Sequence, residues 1–396
     1  MDKKELSFQD FNLKTHFIGY WDQVVRQWLD KNNDWKAMTD GETEEARATR
    51  EQRQIIEAIN GTYKKDSKYQ INTIHMPEPY WGNPTDCSIV LMNYNPAGGL
   101  KVNRHATISC KDCKGCEPLT VEDKEIMGPT TFIKYVNEKG YSHFAADESP
   151  VFKTEEELGA DMKWFWDEDN GYEGYGWWKQ KCGWLGHLVE IICGKKDEER
   201  WPFAMELCGW HSKEWKTDMK WIDKCRPIIK ERTILPLLKA MEKSLPGNST
   251  KIAVCIGAGF SKTSLERFFQ DKKQDVTFQD VTGQICNNII GKYGSKIESK
   301  DSEYRDLIYQ VNFEKDNIHI VANWKVEQKK SKNNAIEDKS EEKNRNYRVF
   351  KINIRESSNE DKYYILNTNY SGKNSHPGKH FWKFEEYLID EIKKNR

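Results

Sequence analysis

The chain contains no apolar run near the ~20 residues that a bilayer-spanning helix requires. Its first residues, Met1-Asp2-Lys3-Lys4-Glu5, lead into no signal-peptide core. It has almost no net charge, with 62 Lys and Arg against 63 Asp and Glu. A uniformly basic nucleic-acid binder is thereby excluded, and any contact with phosphate must come from local segregation of charge. No repeat of solenoid period is visible, and no Gly-Lys-Ser/Thr stands at the spacing of a Walker-type loop. What is present is aromatic. The 15 Trp, 17 Tyr and 16 Phe in 396 residues exclude a disordered chain, and the length allows one large domain or two smaller ones. Ten cysteines without a secretory signal read as reduced thiols of a cytoplasmic protein. Most of the tryptophans are expected in the core, although indole faces also stack on bases and sugars.

Two regions are expected. Residues 1–75 form an N-terminal helical layer, with Phe17, Tyr20, Trp21, Val24, Val25, Trp28 and Leu29 at helical spacing and a second helix stopping at Asn60-Gly61. Residues 76–396 form a second, larger α/β region, with insertions at about 100–200 and 325–346. That region opens on Pro77-Glu78-Pro79, where proline forbids a helix. Short strands are expected at Ser88–Asn93, Phe203–Cys208, Lys251–Ile256, Tyr347–Ile354 and Tyr363–Leu366, and an amphipathic helix at Phe381–Lys394. Pro236 argues for a kink in the helical pattern around Ile228–Met241, and the polar stretch Lys325–Asn346 reads as a loop.

Pro77-Glu78-Pro79-Tyr80-Trp81-Gly82-Asn83-Pro84, followed by Ile89-Val90-Leu91-Met92-Asn93-Tyr94-Asn95-Pro96-Ala97-Gly98, resembles the first motif of the uracil-DNA glycosylase-like superfamily. Ser375-His376-Pro377 resembles its last motif. Phe203–Lys213 and Ile252–Gly259 fall where the second and third core strands would lie. The resemblance implies an α/β fold: a three-layer α/β/α sandwich around a short four-stranded parallel sheet, with helical and aromatic insertions. It also implies two catalytic residues. Asn95 would position the hydrolytic water, and His376 would donate to the departing base. Asn93, Tyr94, Pro96, Glu78 and Tyr80 would line the base pocket. Glu206 stands where the superfamily's base-reading Asn commonly sits, and a carboxylate there suits the amino group of cytosine. His211 and Ser212 would contact the base or its substituent. The plainer reading of Glu206 is an ordinary strand-end glutamate.

The chain departs from the family pattern at Asn93, where Gly is usual, and after His376-Pro377, where the wedging Leu is absent. Phe381 or Trp382 would have to hold the duplex open, with Lys213, Lys373 and Lys379 on the phosphates. Resemblance to members that act in phage defence points to a modified cytosine, hydroxymethylated or glucosylated, and the Trp/Tyr-rich stretch from Trp164 to Trp184 offers a lining for a larger pocket. DNA is the expected partner. Charge is divided to match: residues 147–173 carry −8, Lys325–Arg355 +5 and Lys213–Arg232 +3. Cys110, Cys113 and Cys116 are spaced for zinc or an iron–sulfur cluster, with His105, Cys87, Cys182 and Cys193 as candidate fourth ligands. Two alternatives come from other classes. Gly257-Ala258-Gly259-Phe260-Ser261 with Asn367-Thr368-Asn369 resembles a sirtuin-like NAD hydrolase, and a catalytically silent reader of modified DNA would keep the pocket without the chemistry.

Overall fold

The periodic aromatic and aliphatic residues near the N-terminus become the buried stripe of α1 (Gly19–Lys31): Tyr20, Trp21, Val24, Val25 and Trp28 all face inward. The computed structural model describes residues 6–31, 43–64, 67–71, 73, 76–93, 136, 138–145, 184, 186–192, 202–212, 219–244, 250–257, 266, 276–299, 307–326, 339–355, 361–368 and 379–395. A π-helical turn, Leu13–Ile18, leads into α1 and is capped by Asn12, whose Oδ1 accepts the Thr15 amide. Thr43 caps α2 (Glu44–Thr62) in the same way. Near the end of α2, Asn60 Oδ1 accepts the Ile71 amide at 2.7 Å.

The sheet overturns the expected architecture. Among the described residues it has ten strands, most of them paired antiparallel, in the order β1-β3-β2-β4-β10-β9-β8-β7-β6, with β5 added on β9. It is not a short four-stranded parallel sheet in a three-layer sandwich. The strands are β1 (Tyr80–Trp81), β2 (Val90–Asn93), β3 (Phe203–Glu206), β4 (Thr250–Ile256), β5 (Val276–Asp280), β6 (Lys296–Ser299), β7 (Leu307–Glu314), β8 (Asn317–Val326), β9 (Lys339–Ile354) and β10 (Lys362–Thr368). Parallel pairing is confined to β3–β2, β2–β4 and β4–β10. There the strands are buried at every position of β2, β3 and β4, as continuous apolar runs should be.

The additional strands come from a different pattern. In β7, Leu307, Tyr309 and Val311 are buried and alternate with more exposed residues; Ile318, Ile320, Ala322 and Trp324 do the same in β8. A two-residue turn joins them, with Lys315 at φ 47° and Asp316 at φ 63°, the signature of a type I′ hairpin. β9 is long enough to serve three partners: Lys339–Tyr347 pairs with β8, Tyr347–Ile352 with β10 and Phe350–Ile354 with β5. Part of the polar stretch expected as a loop is therefore ladder. Glu342, Lys343 and Asn344 are exposed strand residues, held by backbone hydrogen bonds and needing no apolar side chains.

Helices cover the sheet. The segment α3 (Met219–Lys224), α4 (Arg226–Ile229) and α5 (Leu235–Lys243) includes a π-helical stretch at Lys230–Ile234, directly before Pro236. That wider turn is the local adjustment to a ring with no N–H to donate. α5 packs on β2 and β4, while α6 (Thr282–Tyr293) packs on β7, β8, β9 and α7 (Trp382–Lys394). Among the described residues, no helix is long and apolar enough to cross a membrane.

Candidate functional site

Because β3, β2, β4 and β10 run parallel, their carboxyl ends lie along one edge of the sheet. Ligands of open α/β sheets gather at such an edge, beside the strand where chain order reverses. Here that strand is β2: the chain passes from it to β3 on one side and later to β4 on the other. The ladder pairs the last residues of β2 and β3, Asn93 with Glu206.

These two side chains meet. Asn93 Nδ2 donates to Glu206 Oε1 at 3.1 Å, and both residues are buried, at 6% and 8% exposure. Asn93 Oδ1 and Glu206 Oε2 are also buried and have no hydrogen-bond partner among the described residues. Buried polar atoms are satisfied in the great majority of cases, so an acceptor and a carboxyl oxygen without partners among the described residues mark this pair for attention.

Burial also sets the charge state. It pushes the Glu206 carboxyl well above the ordinary carboxylate range. The Asn93 hydrogen bond works against that shift, and the nearby Glu78 carboxylate adds to it. The shift is toward the acid form, in which Glu206 would offer an O–H donor as well as an acceptor.

Glu78 reaches the site through main-chain pairing that extends β1. Its amide donates to Gly209 O at 2.8 Å, and the Glu206 amide donates to Pro79 O at 2.9 Å. Gly209 permits this approach, since a Cβ there would stand 3.0 Å from Pro79 Cα and 3.1 Å from the Trp21 ring. His211 Nε2 lies 3.3 Å from Glu78 Oε1 and 3.0 Å from Met76 O, with both side chains 1% exposed. That nitrogen is hydrogen-bonded to the Met76 carbonyl, with the Glu78 carboxyl beside it. Ser212 is buried beside it. Tyr80 is fully buried among Phe17, Tyr141 and Phe203, and its hydroxyl has no partner among the described residues.

Other expected residues fare differently. Tyr94, Asn95, Pro96, Lys213, Lys373, His376, Cys110, Cys113 and Cys116 lie outside the described residues, as do Trp164 and most of the aromatic and acidic stretch. Phe381 is not a surface wedge: it is 1% exposed and lies under the Arg345 guanidinium at 4.1 Å. Trp382 stacks on His187 at 4.5 Å. Lys379 belongs to the 3-10 turn Lys379–Phe381. Cys87 is a core thiol with its Sγ 3.9 Å from Ala240 O. Among the described residues, no group of three or more His, Cys, Asp or Glu is placed to hold a metal ion.

The basic segments also carry internal duties. Arg345 is buried against Glu385, and Arg232 against Glu51 and Glu231, so neither faces phosphate. At the far side of the edge, Asn367 Nδ2 donates to Cys255 O at 2.9 Å and Gly257 O at 2.8 Å. In the NAD-hydrolase reading this Asn belongs to a ligand-facing motif; here its amide clasps the end of β4. Thr368, the last residue of β10, has a buried Oγ1 with no partner among the described residues; the sequence names it only within the Asn367-Thr368-Asn369 motif and gives its hydroxyl no role.

The chain matches no protein-family model, no curated protein and no solved structure in these comparisons.

Proposed function

We propose that the protein is a DNA glycosylase, resembling the uracil-DNA glycosylase-like superfamily in its site motifs, that hydrolyses the N-glycosidic bond of a flipped base and leaves an abasic site. One observation carries the reading. At the carboxyl edge of the parallel strands, a buried Asn93–Glu206 pair presents an unsatisfied acceptor and an unsatisfied carboxyl oxygen, which is the hydrogen-bonding complement of a base edge. Asn95 follows β2 by two residues and His376 follows β10 by eight, so both belong to connections that leave the same edge. In this reading Asn95 orients the water and His376 stabilises the leaving base.

The substrate is a modified cytosine, hydroxymethylated or glucosylated, in phage DNA, and the setting is antiviral defence in the cytoplasm. The Cys110, Cys113, Cys116 loop would hold a structural zinc or iron–sulfur cluster with no step in catalysis. The test is incubation with DNA carrying uracil, cytosine, 5-hydroxymethylcytosine or its glucosylated form, followed by alkali, with NAD consumption followed in parallel. Alkali-labile sites in a modified DNA support the reading. NAD loss without base release favours the sirtuin-like reading, and binding without either favours a silent reader. Both results overturn the glycosylase.

A further inference from the structure

We propose that Glu206 is the general acid of this reaction, with its Oε2–H protonating ring N3 of a cytosine-class base while Asn93 Oδ1 accepts the exocyclic amino group. The inference rests on the glycosylase reading and specifies the substrate class and the proton route. A cytosine that leaves from N1 without a proton departs as a poorly stabilised anion, whereas uracil departs as a delocalised imide. A protein that releases uracil needs donors near the base oxygens; one that releases cytosine needs a proton at N3. The described edge offers the second arrangement. Glu206 Oε2 and Asn93 Oδ1, each without a partner among the described residues, belong to register-paired residues whose side chains meet through Asn93 Nδ2 and Glu206 Oε1, and cytosine presents an acceptor beside a donor on the matching edge.

The step balances. The proton passes from Glu206 Oε2 to N3. The C1′–N1 bond then breaks with its electron pair going to N1, and the base leaves as a neutral tautomer. Water adds to C1′ of the resulting oxocarbenium ion, and the proton it sheds returns to the Glu206 carboxylate. The surrounding groups fit both halves of this cycle. Asn93 Nδ2, already 3.1 Å from Oε1, steadies the carboxylate that forms. Glu78 lies near enough to Glu206 to favour its acid form, and so the return of the proton. Among the described residues, Tyr141 and Cys208 are also close enough to interact with Glu206.

The experiment compares the full chain with Glu206→Gln on DNA carrying 5-hydroxymethylcytosine or 5-hydroxymethyluracil, under single-turnover conditions across pH. Gln keeps the shape, one donor and one acceptor but has no proton to transfer. Release of 5-hydroxymethylcytosine should fall by about 10²- to 10⁴-fold, the usual contribution of a general acid, with DNA affinity changed only a few-fold. The parent rate should decline as pH rises through the Glu206 titration, and the variant should lack that decline. Release of 5-hydroxymethylcytosine by Glu206→Gln at the parental rate and with the parental pH profile overturns the proposal. So does a parent rate that rises with pH over that range, a result that does not depend on the variant folding. If the parent releases no base from any DNA tested, the glycosylase reading itself fails and this inference falls with it.

Discussion

Replacing Glu206 by Gln should stabilise the protein, and the gain should grow with pH. The carboxyl is 8% exposed, and burial, with Glu78 in support, raises its titration above that of an exposed glutamate. Between the unfolded and the folded titration, the folded chain holds a proton that the unfolded chain has released. Stability of the parent must fall across that window, by roughly 1.4 kcal/mol for each pH unit. Gln holds no such proton and shows no such slope. Below about pH 4, Glu206 is protonated in both states, and the linkage difference vanishes. Denaturant unfolding of the two proteins at pH 5, 6 and 7, fitted with a common slope, measures the difference. A difference that stays flat from pH 5 to pH 7 refutes the claim that Glu206 is held as an acid.

Three further outcomes are expected. Glu385 is fully buried and accepts from Trp184 Nε1 at 2.7 Å, Tyr347 OH at 2.7 Å and Arg345 Nη1 at 3.3 Å. Glu385→Ala strands the Arg345 charge and should cost about 3–5 kcal/mol in denaturant unfolding, while Glu385→Leu with Arg345→Met should recover most of it. Gly209→Ala forces a methyl against Pro79 and the Trp21 ring and should cost about 1–3 kcal/mol, visible as a lower Tm. Under the proposed glycosylase reading, and from the motif resemblance alone, Asn95→Ala and His376→Ala should each slow base release about a hundredfold or more, measured as alkali-labile sites in modified DNA.

Legibility in the sequence followed the kind of burial each element has. β4 was plain, because a strand buried on both faces needs seven consecutive apolar or shielded positions and Thr250–Ile256 supplies them. The β7–β8 hairpin was not read. Its apolar residues alternate, and its turn uses Lys315-Asp316 where the sequence signal would be Asn-Gly. The first half of β9 was read as a loop, because an exposed strand draws its stability from the ladder and leaves little mark on composition. These omissions turned a mixed ten-stranded sheet into an expected four-stranded one.

At the site, Glu206 was legible as the polar end of an apolar strand. Its raised titration was not, because that comes first from burial in the folded sheet, with Glu78, 128 positions earlier, adding to it once the pairing of Glu78 with Gly209 and of Pro79 with Glu206 brings it near. Phe381 misled for a related reason. An aromatic after a loop reads as exposed until Arg345, from a strand placed as loop, is found over its ring.

The segment after β3 has little freedom to carry Glu206 into water. The Leu207 amide donates to Asn93 O at 2.8 Å, Gly209 O accepts from Glu78, and Trp210 Nε1 donates to Gln52 Oε1 at 2.9 Å. Gln52 in turn donates to the Tyr20 hydroxyl at 2.8 Å, and the Arg232 guanidinium lies over the Tyr20 ring at 3.9 Å. The N-terminal helices thus reach the carboxyl edge through one chain of buried contacts. A carboxyl keeps a raised titration only while water is kept from it. The helical layer therefore does more than cover apolar surface: by fixing residues 207–211 from one side as β2 and Glu78 fix them from the other, it maintains the dry surroundings on which the proton of Glu206 depends.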